Sequence, residues 1–286
     1  MYYQQRLETP RHCVLEEISV LKIIGVATWE EFTHHLVHLT EKRKGQPDAK
    51  PLLFRGQSNS SWELATTLDR LIHAELHCLS EYYGLIQRIA SDIEMFTDHA
   101  LDCPSAHEVA QFCRTYDCRH AFSCSTMPAF SYMIYLRHHG FPSPLLDWTY
   151  SPYNAAYFAF AKCGTDHTVA IYVLQEANQA ETMQGVPRIY SLCRNIRSHK
   201  RHFLQRSAYT ICVNFVGNHW QLSKYRDMNS GQDEYTIIKF VIPMSEKVKV
   251  LKFLYDVNIH AASLFGSDES LMETLKFREF DNRALL

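Results

Sequence analysis

No stretch of this 286-residue sequence stays apolar for the length of a membrane span, which takes about twenty residues. The opening MYYQQRLETPRH lacks the apolar core of a secretory leader. A cytoplasmic protein with no membrane partner is therefore expected. No two of the nine cysteines have CxxC spacing, which argues against a zinc ribbon and a disulfide framework and for free, mostly buried thiols in a reducing compartment. Neither sign of charge is in excess: 29 Lys and Arg face 31 Asp and Glu, for a formal net charge of -2. That excludes the overall basic field of a nonspecific nucleic-acid binder. Repeats, low-complexity tracts and a domain-dividing linker are also missing.

What is present is an ordinary globular composition, 46% apolar and 21% charged, on a chain long enough to bury a sizeable core. Residues 1–26 read as an N-terminal arm and 27–286 as one domain. VATWEEFTHHLVHLTEK has helical periodicity in Trp29, Phe32, Leu36 and Leu39, with Thr28 and Glu31 at capping-box spacing. PLLFRG reads as a short strand. Residues 71–115 form a helical insertion with one glycine, Gly84. FSYMIYLRH (130–138) is a helix stopped by Gly140 and Pro142, and PLLDWTYSP is a strand end and turn. Pro152 then sits in the first turn of a helix. VAIYVLQ, SAYTICVNF and EYTIIKFVIP are strands, residues 176–200 are loop, and MSEKVKVLKFLYDVNI and ESLMETLKF are helices. The fold class is α+β with a mixed, mostly antiparallel sheet.

In LLFRGQSNSSW, an arginine ends a buried strand with a glycine behind it. Arg55 suits either of two tasks. Its planar fork can hold a phosphate bidentately, or it can pair with Asp147 as a buried anchor. Gly56 would let backbone come close to a ligand. Asp147 also suits a cap on the turn that follows it, and Trp62 and Trp148 suit the core. His138 and His139 have no third ligand at metal spacing, so no metal is expected.

Phe54-Arg55-Gly56-Gln57 followed by Trp62 resembles the signature of the FRG domain family. LRHHGFPSPLLDWTYSPYNAAYFAF (136–160) is similar to the family's central block, RHFLQRSAYT (201–210) to its third, and LKFLYDVNIHAASLFGSDESLMETL to its tail. Ser207 stands where the third block usually has glycine, and Gly266 where the tail commonly has proline. The family's layout is distantly similar to the ADP-ribosyltransferase fold. That resemblance implies an ADP-ribosyltransferase-like sheet, NAD as substrate and a three-part site. Arg55 would end the first core strand, Thr149-Tyr150-Ser151 the second, and Gln205 would precede the third.

On this resemblance Arg55, Asp147 and Gln205 are the candidate catalytic residues. Gly56, Gln57, His138, His139, Thr149, Tyr150, Ser151, Tyr153 and Arg201 are the candidate substrate-binding residues. Tyr150 and Tyr153 would stack on nicotinamide, and the helix start after Ser151 would offer N–H groups to an anion. Gln205 cannot carry the charge that an oxocarbenium-like state calls for, so Asp147, Glu234 or Glu63 would have to supply it. Two functions follow: an enzyme that transfers ADP-ribose or releases nicotinamide, in the manner of a toxin or anti-phage effector, or a non-catalytic nucleotide- or anion-binding interaction module. Both take a nucleotide ligand. The acceptor, protein or nucleic acid, is not specified.

Overall fold

The computed structural model describes residues 21–44, 50–71, 76–97, 101–114, 122, 127–162, 168–176, 184–192, 200–228 and 235–281. Strand β1 (Leu21–Gly25) is followed by α1 (Trp29–Arg43) and β2 (Leu53–Gln57). Helices α2 (Leu79–Thr97), α3 (Ala106–Arg114) and α4 (Phe130–His138) lead to β3 (Leu145–Thr149), α5 (Pro152–Phe160) and β4 (Thr168–Glu176). Then come β5 (Arg188–Leu192), α6 (Lys200–Leu204), β6 (Ser207–Val216), β7 (His219–Leu222) and β8 (Tyr235–Pro243). Helices α7 (Lys247–Asp256), α8 (Ala261–Phe265) and α9 (Asp268–Lys276) follow, and a π-helical turn over Phe277–Asp281 ends the described residues.

The sequence places most of these elements by local chemistry. Thr28 caps α1 by accepting from Glu31 N at 3.2 Å, while the Glu31 carboxylate accepts from Ala27 N at 2.8 Å. Ser151 caps α5 by accepting from Asn154 N, with Pro152 just inside the helix. Asp147 does not serve as that cap. The arm expected over 1–26 ends in strand β1, which pairs in parallel with β8; residues 1–20 lie outside the described residues. The loop expected over 176–200 contains β5. Its five residues are too short to announce a strand alone and are held by antiparallel pairing to β6.

The strands form one sheet in the order β1-β8-β4-β2-β3-β6-β5, with β7 also on β6. Every pairing but β1–β8 is antiparallel. The longest ladder, β4 with β8, runs from Thr168↔Pro243 to Glu176↔Tyr235. By contrast β2 and β3 meet at the single pair Phe54↔Thr149. The sheet is thus two half-sheets, β1-β8-β4-β2 and β3-β6-β5 with β7, joined at one rung.

Paired residues in an antiparallel ladder point to the same face, and alternate residues along a strand share that face. Phe54, Thr149, Asp147 and Leu145 therefore lie on one face. On the first half-sheet that face packs Phe54, Ile171 and Phe240 against α1, α5, α7 and α8. On the second it packs Leu145, Tyr209 and Ile211 against α2, α3 and α4. Two helical layers stand side by side on one face, with Asp147 and Thr149 on the strand between them. The other face is covered more thinly, with Trp148, Tyr172 and Leu53 packed against Leu64, Tyr225 and Met228. Trp148 is core and its indole N–H donates to Thr210 at 2.8 Å, but Trp62 is half exposed, its carbonyl accepting from the Tyr172 hydroxyl.

Candidate functional site

A cleft of about 670 Å³ opens over the β2–β3 seam. Its floor is a charge network. Arg137, near the end of α4, donates Nε to both Asp147 carboxylate oxygens at 2.9 and 3.0 Å, and Nη2 also bonds Oδ2. Arg137 Nη1 donates to Thr67 at 2.8 Å. Arg55 takes no part in that fork. It donates Nη1 to the main-chain carbonyl of Asp147 at 2.7 Å, and its Nε, though buried, has no hydrogen-bond partner. Two guanidiniums thus stand near one carboxylate that Arg137 alone binds, and the floor carries an excess positive charge.

The titration of these groups follows from that count. Burial lowers the Arg55 guanidinium to about 10, with Asp147 opposing the shift and Arg137 adding to it. Burial would raise the Asp147 carboxyl, but the charge and hydrogen bonds of Arg137 outweigh it and hold the group below the usual range. Burial likewise opposes the charged form of Arg137, and Asp147 more than restores it. The Asp147 side chain keeps 40% of its surface accessible and lines the cleft, so the pair is not sealed in a dry core.

His138 and Tyr209 stand beside the network. His138 Nε2 lies 3.0 Å from the Tyr209 hydroxyl, which His202 Nδ1 also approaches at 3.4 Å. The His202 ring stacks on Tyr209 at 13°. Burial raises the Tyr209 phenol well above its ordinary value, so it stays protonated.

Gln205 reaches the cleft in the turn between α6 and β6, where Arg206 takes a left-handed backbone with φ 49°. Its position is set through its main chain. The Gln205 carbonyl accepts from Thr149 Oγ1 at 2.7 Å and Asn154 Nδ2 at 2.9 Å, and its side chain donates to the Leu264 carbonyl at 3.3 Å. Arg201 enters from α6 with its guanidinium 5.8 Å from the Phe265 ring centre.

The cleft brings together Arg55, Gly56, His138, Asp147, Thr149, Arg201 and Gln205. Gln57, His139, Tyr150, Ser151 and Tyr153 do not line it. Gln57 is buried and donates to the Glu63 carbonyl. His139 packs on Tyr135 past the end of α4. Tyr150 N donates to the Arg206 carbonyl, fixing the α6–β6 turn. Tyr153 lies between Trp29 and Phe253 in the apolar layer, away from any nicotinamide position in the cleft. The start of α5 faces that layer; Tyr157, Phe158, Ala161 and Lys162, farther along the chain, face the cleft. Gly56 lines the cleft, but its lack of a side chain serves packing. A Cβ there would lie 1.9 Å from the Ala155 carbonyl oxygen and 2.7 Å from Ala159 N.

Of the carboxylates weighed as a source of charge, Glu63 is exposed and faces Arg226, and Glu234 lies outside the described residues. Sequence reasoning missed Arg137, Glu269 and Glu273, which all line the cleft. Arg137 carried a signal: before His138 it is the sole charge in helix FSYMIYLRH, five of whose residues are buried. A charge there needs a partner. Glu269 and Glu273 carried none, because α9 reads as an ordinary amphipathic surface helix. Among the described residues, no group of three or more His, Cys, Asp or Glu is placed to hold a metal, and no helix is long and apolar enough to cross a membrane.

The fold is an α+β sheet with helices on one face and a cationic cleft at its seam. Residues 50–167, which hold β2, the two helices of the insertion, α4, β3 and α5, match the family model of the FRG domain, and the match supports the FRG family. Comparison with curated proteins finds no match, and neither does comparison with solved structures.

Proposed function

We propose that the cleft binds NAD and that the protein splits its nicotinamide–ribose bond, passing ADP-ribose to an acceptor or to water. The observation that carries this reading is the floor, where Arg137 binds the single carboxylate of Asp147, Arg55 bonds only the Asp147 carbonyl, and a net cation is left beneath an open cavity. A pyrophosphate answers that excess, since guanidinium bonds to phosphate are charge-assisted and directional. The cavity volume lies within the range of small-molecule sites. Phe158 and Phe265, in edge-to-face contact at 6.1 Å, offer the ligand an apolar wall.

In the reaction the C1′–N bond breaks and its electron pair leaves with nicotinamide. The ribose becomes oxocarbenium-like, a nucleophile attacks C1′, and its proton is released. In this reading Gln205, with its backbone pinned by Thr149 and Asn154, hydrogen-bonds the ligand.

One observation favours the second reading, a non-catalytic nucleotide- or anion-binding module. The Asp147 carboxylate is taken up by Arg137, so it is not free to stabilise a cation. Nicotinamide release from NAD, measured beside Arg55→Ala and with a cell extract as acceptor source, separates the two. Release that disappears in the variant supports the enzyme. Thermal stabilisation by NAD without release supports the module, and neither release nor binding overturns both.

A further inference from the structure

The charge that Gln205 and Asp147 do not provide stands on the opposite wall. Glu269 and Glu273 are four residues apart on α9, which places them on one face of the helix, and both line the cleft. Their surroundings separate them. The Glu269 carboxyl is held below its ordinary value by a hydrogen bond from Ser267, the cap of the same helix, with Arg201 adding to the shift. Glu269 therefore sits near a cation as well as the helix start. Glu273 meets a neutral donor, the Tyr157 hydroxyl, 3.4 Å from Oε1. Tyr157 is buried; burial first, and then the Glu273 charge, raise its phenol above the ordinary value, so it keeps its proton and can donate.

We infer that Glu273 is the catalytic carboxylate of this site and that Tyr157 is its positioning residue. This assignment rests on the NAD-cleaving reading above. As the C1′–N bond breaks, positive charge appears on the ribose, and a carboxylate not neutralised by a cation stabilises that charge best. Asp147 faces the guanidinium of Arg137 and Glu269 has Arg201 near it, whereas the Glu273 carboxylate lines the cavity beside a neutral hydroxyl. The cleft then has a division of labour: Arg55 and Arg137 on the strand-side floor hold the anionic part of the ligand, and α9 presents the countercharge to the ribose. The α9 helix is in turn fixed by Thr274, whose hydroxyl accepts from Ala262 N at 2.9 Å.

The test is Glu273→Gln, which keeps size and hydrogen bonding on an exposed position and removes only charge. The expected result is a loss of nicotinamide release of about 100-fold or more, as for other charge-stabilising groups, with NAD affinity, read by calorimetry, within about threefold of wild type. Tyr157→Phe should lower kcat by several-fold with little change in KM. Turnover of Glu273→Gln within about threefold of wild type overturns the assignment and leaves the NAD-cleaving reading intact. A loss confined to NAD affinity also overturns it, by making Glu273 a binding residue. No nicotinamide release by the wild type overturns the reaction and the assignment together.

Discussion

The Arg55 guanidinium donates to the main-chain carbonyl of Asp147, at 2.7 Å, and not to its carboxylate. Arginine and aspartate that look like an ion pair in the sequence are joined through the backbone, and the carboxylate belongs to Arg137. The two arginines therefore answer differently to removal.

Arg137→Met leaves Asp147 without its fork, and removing one partner of a buried pair is costly. A loss of about 3 kcal/mol is expected, because the carboxylate still has access to the cleft. Arg55→Met removes one hydrogen bond and one poorly solvated charge, effects that oppose each other, and should cost about 1 kcal/mol or less. Urea melts of both variants check the ranking; equal losses would contradict it.

Asp147 contributes to the acid sensitivity of the fold. Its carboxyl titrates lower in the folded chain than in the unfolded one, where aspartate titrates near about 3.9. The stability it contributes is complete above that value and is lost as the pH falls through the folded value, because the unfolded chain takes up the proton more readily. Asp147→Asn should thus be less stable than wild type at neutral pH, with the gap narrowing below about pH 4. Urea midpoints followed from neutral to acid pH give the answer, and a constant gap would contradict the assignment.

Gly56→Ala should fail through packing. The new methyl would meet the Ala155 carbonyl and the Ala159 amide, backbone atoms of α5 that cannot step aside. Overpacking of this severity should cost roughly 3 kcal/mol or more. The melting temperature should fall accordingly, or the chain should be insoluble; a variant with unchanged melting would show that α5 can shift.

Asn154 and Gln205 offer a cleaner separation. Asn154→Ala removes a donor to the Gln205 carbonyl and should cost about 1–2 kcal/mol. Gln205→Ala gives up one long side-chain bond, at 3.3 Å, and should cost less than about 1 kcal/mol. Nicotinamide release should fall in Gln205→Ala with the melting temperature nearly unchanged, and unaltered release would take its amide out of the ligand's reach.

The elements legible in the sequence are those with local causes. Thr28 and Glu31 announce α1, Ser151 and Pro152 announce α5, and the apolar runs of β4, β6 and β8 state themselves. β1 and β5 are held by neighbours distant in sequence, and their own five residues say little. At the site, Arg55 and Asp147 stand out because charge in an apolar context is unusual, yet the pattern does not reveal that the link runs through a carbonyl. Tyr153 stands out as a ligand platform because it falls in the conspicuous WTYSPY, but it packs between Trp29 and Phe253, and it is Tyr157, on the same side of the helix one turn later, that reaches the cleft. Glu273 is visible only once the tail has folded back over the sheet.

The single rung between β2 and β3 also bears on how this protein can be divided. The chain crosses the seam again and again: β2 on one side, β3 on the other, β4 back, β5 to β7 across, and β8 back once more. Neither half-sheet is a contiguous stretch of gene. A piece ending after α5 would carry both seam strands without β4 or β6, the partners that flank them, and its sheet would be one pair wide. Such a piece would lack the ladders that hold β2 and β3 in place, so the two halves and the cleft between them have to fold together.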